Sequence, residues 1–320
     1  MAATHVRRWL PAYLGLAAIW GCSFAFIKVG LTWLTPSGVV LGRLSLGLVT
    51  LAVLCAITRT PFPPRRTWGY VFIAAALMTA VPWTLFSFAE THISSALTGI
   101  INGATPLTTL VVILIAFPEE KPTLRRIIGL GLGFIGVLVV VGVWQPLGGG
   151  TVIGIVACLI AISMYGISYP FVRRYLTGGP TSAGLSPLSL AFGLLAFGVL
   201  QELVITAVTG GPVHGSPSWG AVLSIISLGC LGSGIAYVLN FTVIKNSDAT
   251  TASTTTYVIT LVAVVVGAVA LGEPITWNEP VGALLVIVGA MTAQGLLGRR
   301  GRRPATSEVD LPVTGSAIED

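Results

Sequence analysis

Apolar residues run along this chain in long stretches, interrupted by short segments rich in Pro, Gly and charge. A helix needs about 20 mostly apolar residues to cross the hydrocarbon core of a bilayer. Cutting at the polar breaks predicts ten such helices, over residues 11–33, 37–58, 68–90, 95–117, 127–143, 151–171, 187–208, 219–244, 249–271 and 278–297. The fifth is the shortest. A Gly/Pro stretch at 145–150 separates two groups of five. The predicted fold class is therefore all-α and integral to the membrane.

Polar positions inside the runs recur at helical spacing. Thr98, Asn102, Thr105 and Thr109 share one face of the fourth helix. Pro106 beside them lacks an N–H and leaves a backbone carbonyl without its helical partner. The ninth helix carries Thr251 and Thr255, the eighth Ser233, Tyr237 and Asn240. The sixth carries Tyr165, Ser168 and Tyr169, and the first Trp20 and Ser23. Ser and Thr are ordinary packing residues between membrane helices. A primary amide facing lipid is costly, so Asn102, together with Tyr165 and Tyr237, is expected to line a central cavity. Gly38/Gly42 and Gly129/Gly133 have the spacing that lets helices pack closely.

One stretch recurs. Glu120, Thr123, Gly129 and Gly136 return 153 residues later as Glu273, Thr276, Gly282 and Gly289. Aligning 94–137 on 247–290 gives 10 identities in 44 pairs. Identity that low is common in apolar sequence, but the joint spacing of Glu, Thr and two Gly is not, and it indicates a duplicated half. Placing the N-terminus in the cytoplasm puts 15 of the 17 Lys and Arg on the inner side. Five helices per half then require the copies to insert in opposite directions. The loop 118–126 holds Lys121, Arg125 and Arg126, whereas its copy 271–278 holds neither Lys nor Arg. The expected organisation is a first repeat over 1–144, a second over 151–297, and a polar, disordered cytoplasmic tail over 298–320. Leu311-Pro312-Val313-Thr314-Gly315 spells a sortase signal, but no hydrophobic span follows it, so it is read as coincidence.

Composition agrees with a membrane protein. Of the 320 residues 54% are hydrophobic and 9% charged, against about 25% charged in soluble domains. The net charge of +6 sits in short loops rather than in a basic patch interleaved with aromatics, so nucleic acid is excluded as a partner. Cys22, Cys55, Cys158 and Cys230 are scattered through apolar runs, and the three histidines form no cluster with them. No cofactor, disulfide framework or metal site is indicated. Arg7 and Arg8 before an apolar run mimic a signal peptide, but the run continues past Cys22, which reads as an uncleaved first span. There is no P-loop sequence for ATP. A polytopic enzyme would show clustered Asp, Glu or His at a membrane face, and here Asp248 is the one aspartate before the tail. The expected partners are the lipid bilayer and a small-molecule solute; no pattern sets an oligomeric state.

Four ionisable residues fall in or at the outer half of the runs: Lys28, Arg43, Glu90 and Glu202. Charges in the bilayer cost about 2.5–3.5 kcal/mol each on insertion scales. They form structural ion pairs, with Lys28 and Glu90 snorkelling to the interface, or they act. In the second reading Arg43 or Lys28 meets a substrate carboxylate and Glu90 carries a coupling proton.

The run Ile19-Trp20-Gly21-Cys22-Ser23-Phe24-Ala25-Phe26-Ile27-Lys28-Val29-Gly30-Leu31 resembles the first helix of the EamA-type drug/metabolite transporters. So do Glu90-Thr91-His92-Ile93-Ser94-Ser95-Ala96, Asn102-Gly103-Ala104-Thr105-Pro106-Leu107 and the hinge Leu271-Gly272-Glu273. The first-half hinge departs, with Phe117-Pro118-Glu119-Glu120. The resemblance covers about residues 11–297. It implies ten helices in two inverted five-helix repeats and secondary transport of small organic metabolites, amino acids, related compounds or drugs. The expected mechanism is alternating access across the cytoplasmic membrane, with export as the expected direction and a passive facilitator or exchanger as the alternative.

Overall fold

The computed structural model describes residues 2–116, 123–145, 148–177, 185–246 and 249–296. Among them the chain is helical, with no strand beyond a single antiparallel bridge between Leu34 and Val213. Helix α1 spans Ala2–Gly30, α2 Pro36–Thr58, α3 Arg65–Ala89, α4 Ser95–Ile115 and α5 Leu124–Val141. Helix α6 spans Gly149–Thr177, α7 Pro187–Val208, α8 Trp219–Asn246, α9 Ala249–Leu271 and α10 Asn278–Ala293. Eight are long and apolar enough to cross a membrane; Thr255–Leu271 in α9 and Asn278–Ala293 are shorter apolar helices. Glu120 of the repeated motif, the side chain of Thr251 and the tail lie outside the described residues.

Helix starts follow local chemistry. Thr35, Ser94, Thr123, Ser186 and Ser218 each accept a hydrogen bond from the backbone N–H three residues on, at the starts of α2, α4, α5, α7 and α8. Each satisfies a donor that the first turn leaves without a partner. Helix α1 begins nine residues before the predicted run, because Ala2–Arg8 is helical without being apolar. Helix α4 is not one uniform rod: it is helical over Ser95–Asn102 and again from Thr105, with a turn at Gly103 and Ala104. Pro106 cannot bond back to the carbonyl of Asn102. The Thr105 hydroxyl donates to that carbonyl instead, at 2.7 Å. Three π-helical stretches, Ala76–Ala80 in α3, Arg173–Thr177 ending α6 and Ser227–Ile235 in α8, have no counterpart in the apolar pattern.

Polarity is turned inward. Val208, Val269 and Ile115 are about four-fifths exposed on the outside, while Arg43, Glu90 and Glu202 are buried. That is the arrangement expected of a protein whose outer solvent is hydrocarbon. Helix α1 packs on α8 and α9, and α6 on α3 and α4. Helix α2 packs on α7 and α8, α3 on α7, α4 on α9 and α5 on α10.

The most extensive contact is α5 on α10, and glycine makes it. A Cβ on Gly136 would lie 2.6 Å from the backbone nitrogen of Val286, and one on Gly129 would lie 2.6 Å from the carbonyl oxygen of Gly289. Each is well inside van der Waals contact, so the two backbones touch directly. Asn278 closes the same interface by donating to the buried carbonyl of Val140 at 2.9 Å. In α2, Gly42 meets Ile225 of α8, whereas Gly38 abuts the backbone of Pro212 in the connection after α7; Gly129 and Gly133 sit at helix contacts, with α10 and with Leu107 of α4.

Overpacking a core costs about 1–3 kcal/mol, and backbone against backbone has nothing to yield. We expect Gly136→Leu to lower the melting temperature of the detergent-solubilised protein by several degrees. Gly131→Leu, where a Cβ meets nothing within 4 Å, leaves it unchanged. Equal melting temperatures for the two variants count against the close α5–α10 contact.

Candidate functional site

Seven helices surround a central cavity of about 210 Å³. Helix α1 brings Trp20, Ser23 and Phe24 to it, α2 Arg43, and α3 Met78, Trp83 and Phe86. From the other side come Asn102 and Thr105 of α4, Tyr165 and Tyr169 of α6, Tyr237 and Asn240 of α8, and Thr256 of α9. No residue of α5, α7 or α10 lines it.

Among the described residues Arg43 is the one cation in this wall. It is 7% exposed; its Nε donates to Ser233 Oγ at 3.0 Å, and its guanidinium carbon stands 3.8 Å from the centroid of the Trp83 ring. The ring face and the hydroxyl replace part of the hydration that the guanidinium loses. Trp20 Nε1 donates to the carbonyl of Gly232 at 2.9 Å, inside the π-helical stretch of α8. A train of rings continues around the wall. Trp20 meets Tyr237 edge-on at 6.4 Å, Phe24 meets Phe86 at 6.2 Å, Phe86 meets Tyr165 at 5.9 Å, and Tyr165 meets Tyr169 at 6.4 Å.

The cavity continues into a wider vestibule of about 590 Å³, and the two share Trp20, Thr105, Tyr169, Asn240 and Thr256. The vestibule runs past Thr109 and Thr255 to Thr123, Arg125 and Arg126 at the start of α5 and to Gln294 after α10.

The opposite end is tied shut. Lys28 Nζ donates to the carbonyls of Glu90 at 2.5 Å and Ile93 at 3.0 Å. Glu90 is fully buried and accepts from Ser95 Oγ at 3.0 Å. Glu273, from the connection between α9 and α10, accepts from the backbone nitrogens of Ser95 at 2.8 Å and Ala96 at 3.0 Å, at the N-terminus of α4. A carboxylate is favoured there by the free N–H groups and the helix dipole. Gly267 makes room for it: a Cβ at that position would lie 2.6 Å from Glu273 Oε2. Thr35 donates to the carbonyl of Gly211 at 2.9 Å, and the hydroxyls of Ser37 and Thr209 meet at 2.9 Å, joining the connection after α1 to the one after α7.

The expected site residues separate into two groups. Trp20, Ser23, Arg43, Asn102, Thr105, Tyr165 and Tyr237 line the central cavity, and Thr255 lines the vestibule. Lys28, Thr98, Ser168 and Glu90 line neither. Thr98 is buried with its hydroxyl on the carbonyl of Ser94, and Ser168 is buried with its hydroxyl on that of Tyr165. Glu90 does not snorkel, since none of it is exposed. Nor do the four charged residues assemble: Glu202 is held by Thr84 Oγ1 at 2.8 Å, and Arg43 by Ser233. Trp83, Met78 and Phe86 escape the sequence reading, because an apolar residue on an apolar helix carries no sign of which face looks inward.

The EamA-like transporter family matches this chain twice, over residues 7–142 and 152–293. The chain belongs to that family. It is 25% identical over 302 residues to the uncharacterized transporter YyaM of Bacillus subtilis, covering 89% of this chain and 92% of that one. It is 24% identical over 290 residues to a probable terminal-alkyne amino-acid exporter of Streptantibioticus cattleyicolor, covering 90% and 93%. A crystal structure sharing 15% identity superposes with a TM-score of 0.63 over 90% of this chain and 99% of its own, which shows the common fold. Family membership and the apolar helices together define a multi-pass membrane transporter.

In a variant whose four native cysteines are replaced, cysteine at Asn102 or Tyr237 is expected to react with a small water-soluble thiol reagent. Cysteine at Thr98 or Ser168 is expected to stay unmodified by mass spectrometry. Protection at both Asn102 and Tyr237 under every condition overturns the description of the cavity as a water-reachable site.

Proposed function

We propose that this protein is a secondary transporter that moves small organic metabolites, amino acids or related compounds and drugs among them, across the cytoplasmic membrane by alternating access, with export as its direction. The observation that carries the reading is a central cavity open towards one end of the bundle and closed at the other by contacts between the two halves. Its ten helices form two inverted five-helix repeats, 1–144 and 151–297. Three facts support that organisation. The family unit matches twice. Exchanging α1–α5 with α6–α10 converts every major packing pair into another observed pair: α1–α9 becomes α6–α4, α1–α8 becomes α6–α3, and α2–α8 becomes α7–α3. The glycine contact behaves likewise, because Gly129 on Gly289 becomes Gly282 on Gly136. A midplane site between such repeats suits rocking of one half against the other.

With both termini in the cytoplasm, Arg125 and Arg126 at the vestibule mouth face inward, and the cavity is that of an inward-open state. The name of the Streptantibioticus relative supports export and amino-acid-like solutes. Glu90 is the proposed proton carrier. It is buried at the closed end, its Oε1 has no hydrogen-bond partner, and Lys28, Glu273 and Cys158 are the charged and titratable groups near it.

Uptake of a labelled amino-acid and metabolite panel into proteoliposomes, with and without an imposed pH gradient, tests this reading. Saturable uptake that exceeds equilibrium under the gradient, and that no longer responds to the gradient in Glu90→Gln, is the expected result. Uptake that merely equilibrates makes the protein a facilitator or exchanger. An unchanged gradient response in Glu90→Gln removes Glu90 from the coupling step.

A further inference from the structure

We propose that the central cavity selects a compact organic monoanion, a carboxylate carrying one apolar ring or chain, over zwitterionic and cationic compounds of the same skeleton. The inference rests on the transport reading for the cavity's role and narrows its solutes: carboxylates without an ammonium group rank above free amino acids.

Charge is the first argument. A guanidinium offers five N–H donors, and Arg43 uses one, from Nε to Ser233. Trp83 offsets desolvation without neutralising the cation. None of the described carboxylates lines the cavity or the vestibule. Glu90 and Glu273 lie at the closed end, Glu202 is held by Thr84, and Glu279 begins α10. An arriving carboxylate finds a forked donor in a narrow, largely apolar-walled site, where such pairs are stronger than in bulk water. An arriving ammonium finds no counterion among the described residues and meets Arg43 as a like charge. Among the described residues the approach repeats the sign, since Arg125 borders the vestibule, and a cleft lined by one sign of charge concentrates the opposite one.

Size and wall chemistry give the second argument. A dry cavity of about 150 Å³ takes one benzene ring, and this one measures about 210 Å³. That leaves room for one ring and a carboxylate. Phe24, Phe86 and Tyr165 supply ring faces and edges for the apolar part.

The test uses three compounds on one skeleton: 3-phenylpropanoate, L-phenylalanine and 2-phenylethylamine, which are anion, zwitterion and cation at neutral pH. Each is titrated calorimetrically into the purified full chain in detergent. 3-Phenylpropanoate is expected to bind, L-phenylalanine at least about tenfold more weakly, and 2-phenylethylamine not measurably. Arg43→Gln is expected to weaken the anion by about tenfold or more, with Arg43→Lys intermediate. Should Arg43→Gln not fold, the order of the three ligands on the unaltered protein decides. The proposal is overturned if the zwitterion or amine binds as tightly as the anion, if none of the three binds, or if a folded Arg43→Gln binds the anion unchanged. Binding in the expected order without any transport of labelled 3-phenylpropanoate in proteoliposomes leaves the anion site standing and removes the transport reading. Transport of L-phenylalanine in preference to the anion does the reverse.

Discussion

Hydrocarbon offers no hydrogen bonds, and the rest of this structure follows from that constraint. Every backbone donor and acceptor must find its partner inside the protein, so the long apolar runs are helical and the described non-helical residues are confined to short connections. Every polar side chain must turn inward or pair. Breaks in helical bonding are therefore repaired on the spot: Thr105 covers the carbonyl that Pro106 leaves, and Trp20 reaches a carbonyl in the π-helical part of α8. Both repairs sit in the cavity wall, where irregular backbone meets polar surroundings instead of lipid.

The same constraint explains why so much of the fold is legible in the sequence. Long apolar runs have few alternatives to helix, and the described runs are helical with shifts at their ends, eight of them long and apolar enough to cross a membrane. The shifts arise where helix formation and apolarity part company, as at Ala2–Arg8, which is helical and polar. The turn at Gly103 and Ala104 is foreshadowed by Pro106, but the π-helical stretches are not, because they depend on neighbours that local sequence does not name.

The site is legible in a narrower sense. Asn102 and Thr105 stand out because polar groups on one face of an apolar helix are conspicuous, and both reach the cavity. Thr98 belongs to the same stripe yet binds its own helix, since periodicity fixes a face and not a depth. Lys28 and Glu90 draw attention by charge alone, and the contacts that use them belong to the closed end. Trp83, which carries Arg43 on its face, becomes visible only when α2 and α3 are side by side.

One consequence concerns the glycine contact between α5 and α10. Interfaces built of side chains can creep, because rotamers switch one at a time and each switch is cheap. Two backbones in direct contact have no such intermediate steps. They roll together or they part, and parting would open a slot into lipid with nothing to fill it. Neither helix lines the central cavity. On the proposed alternating-access reading the pair is a mechanical ground, a fixed frame, and the rearrangement falls to the helices that line the cavity.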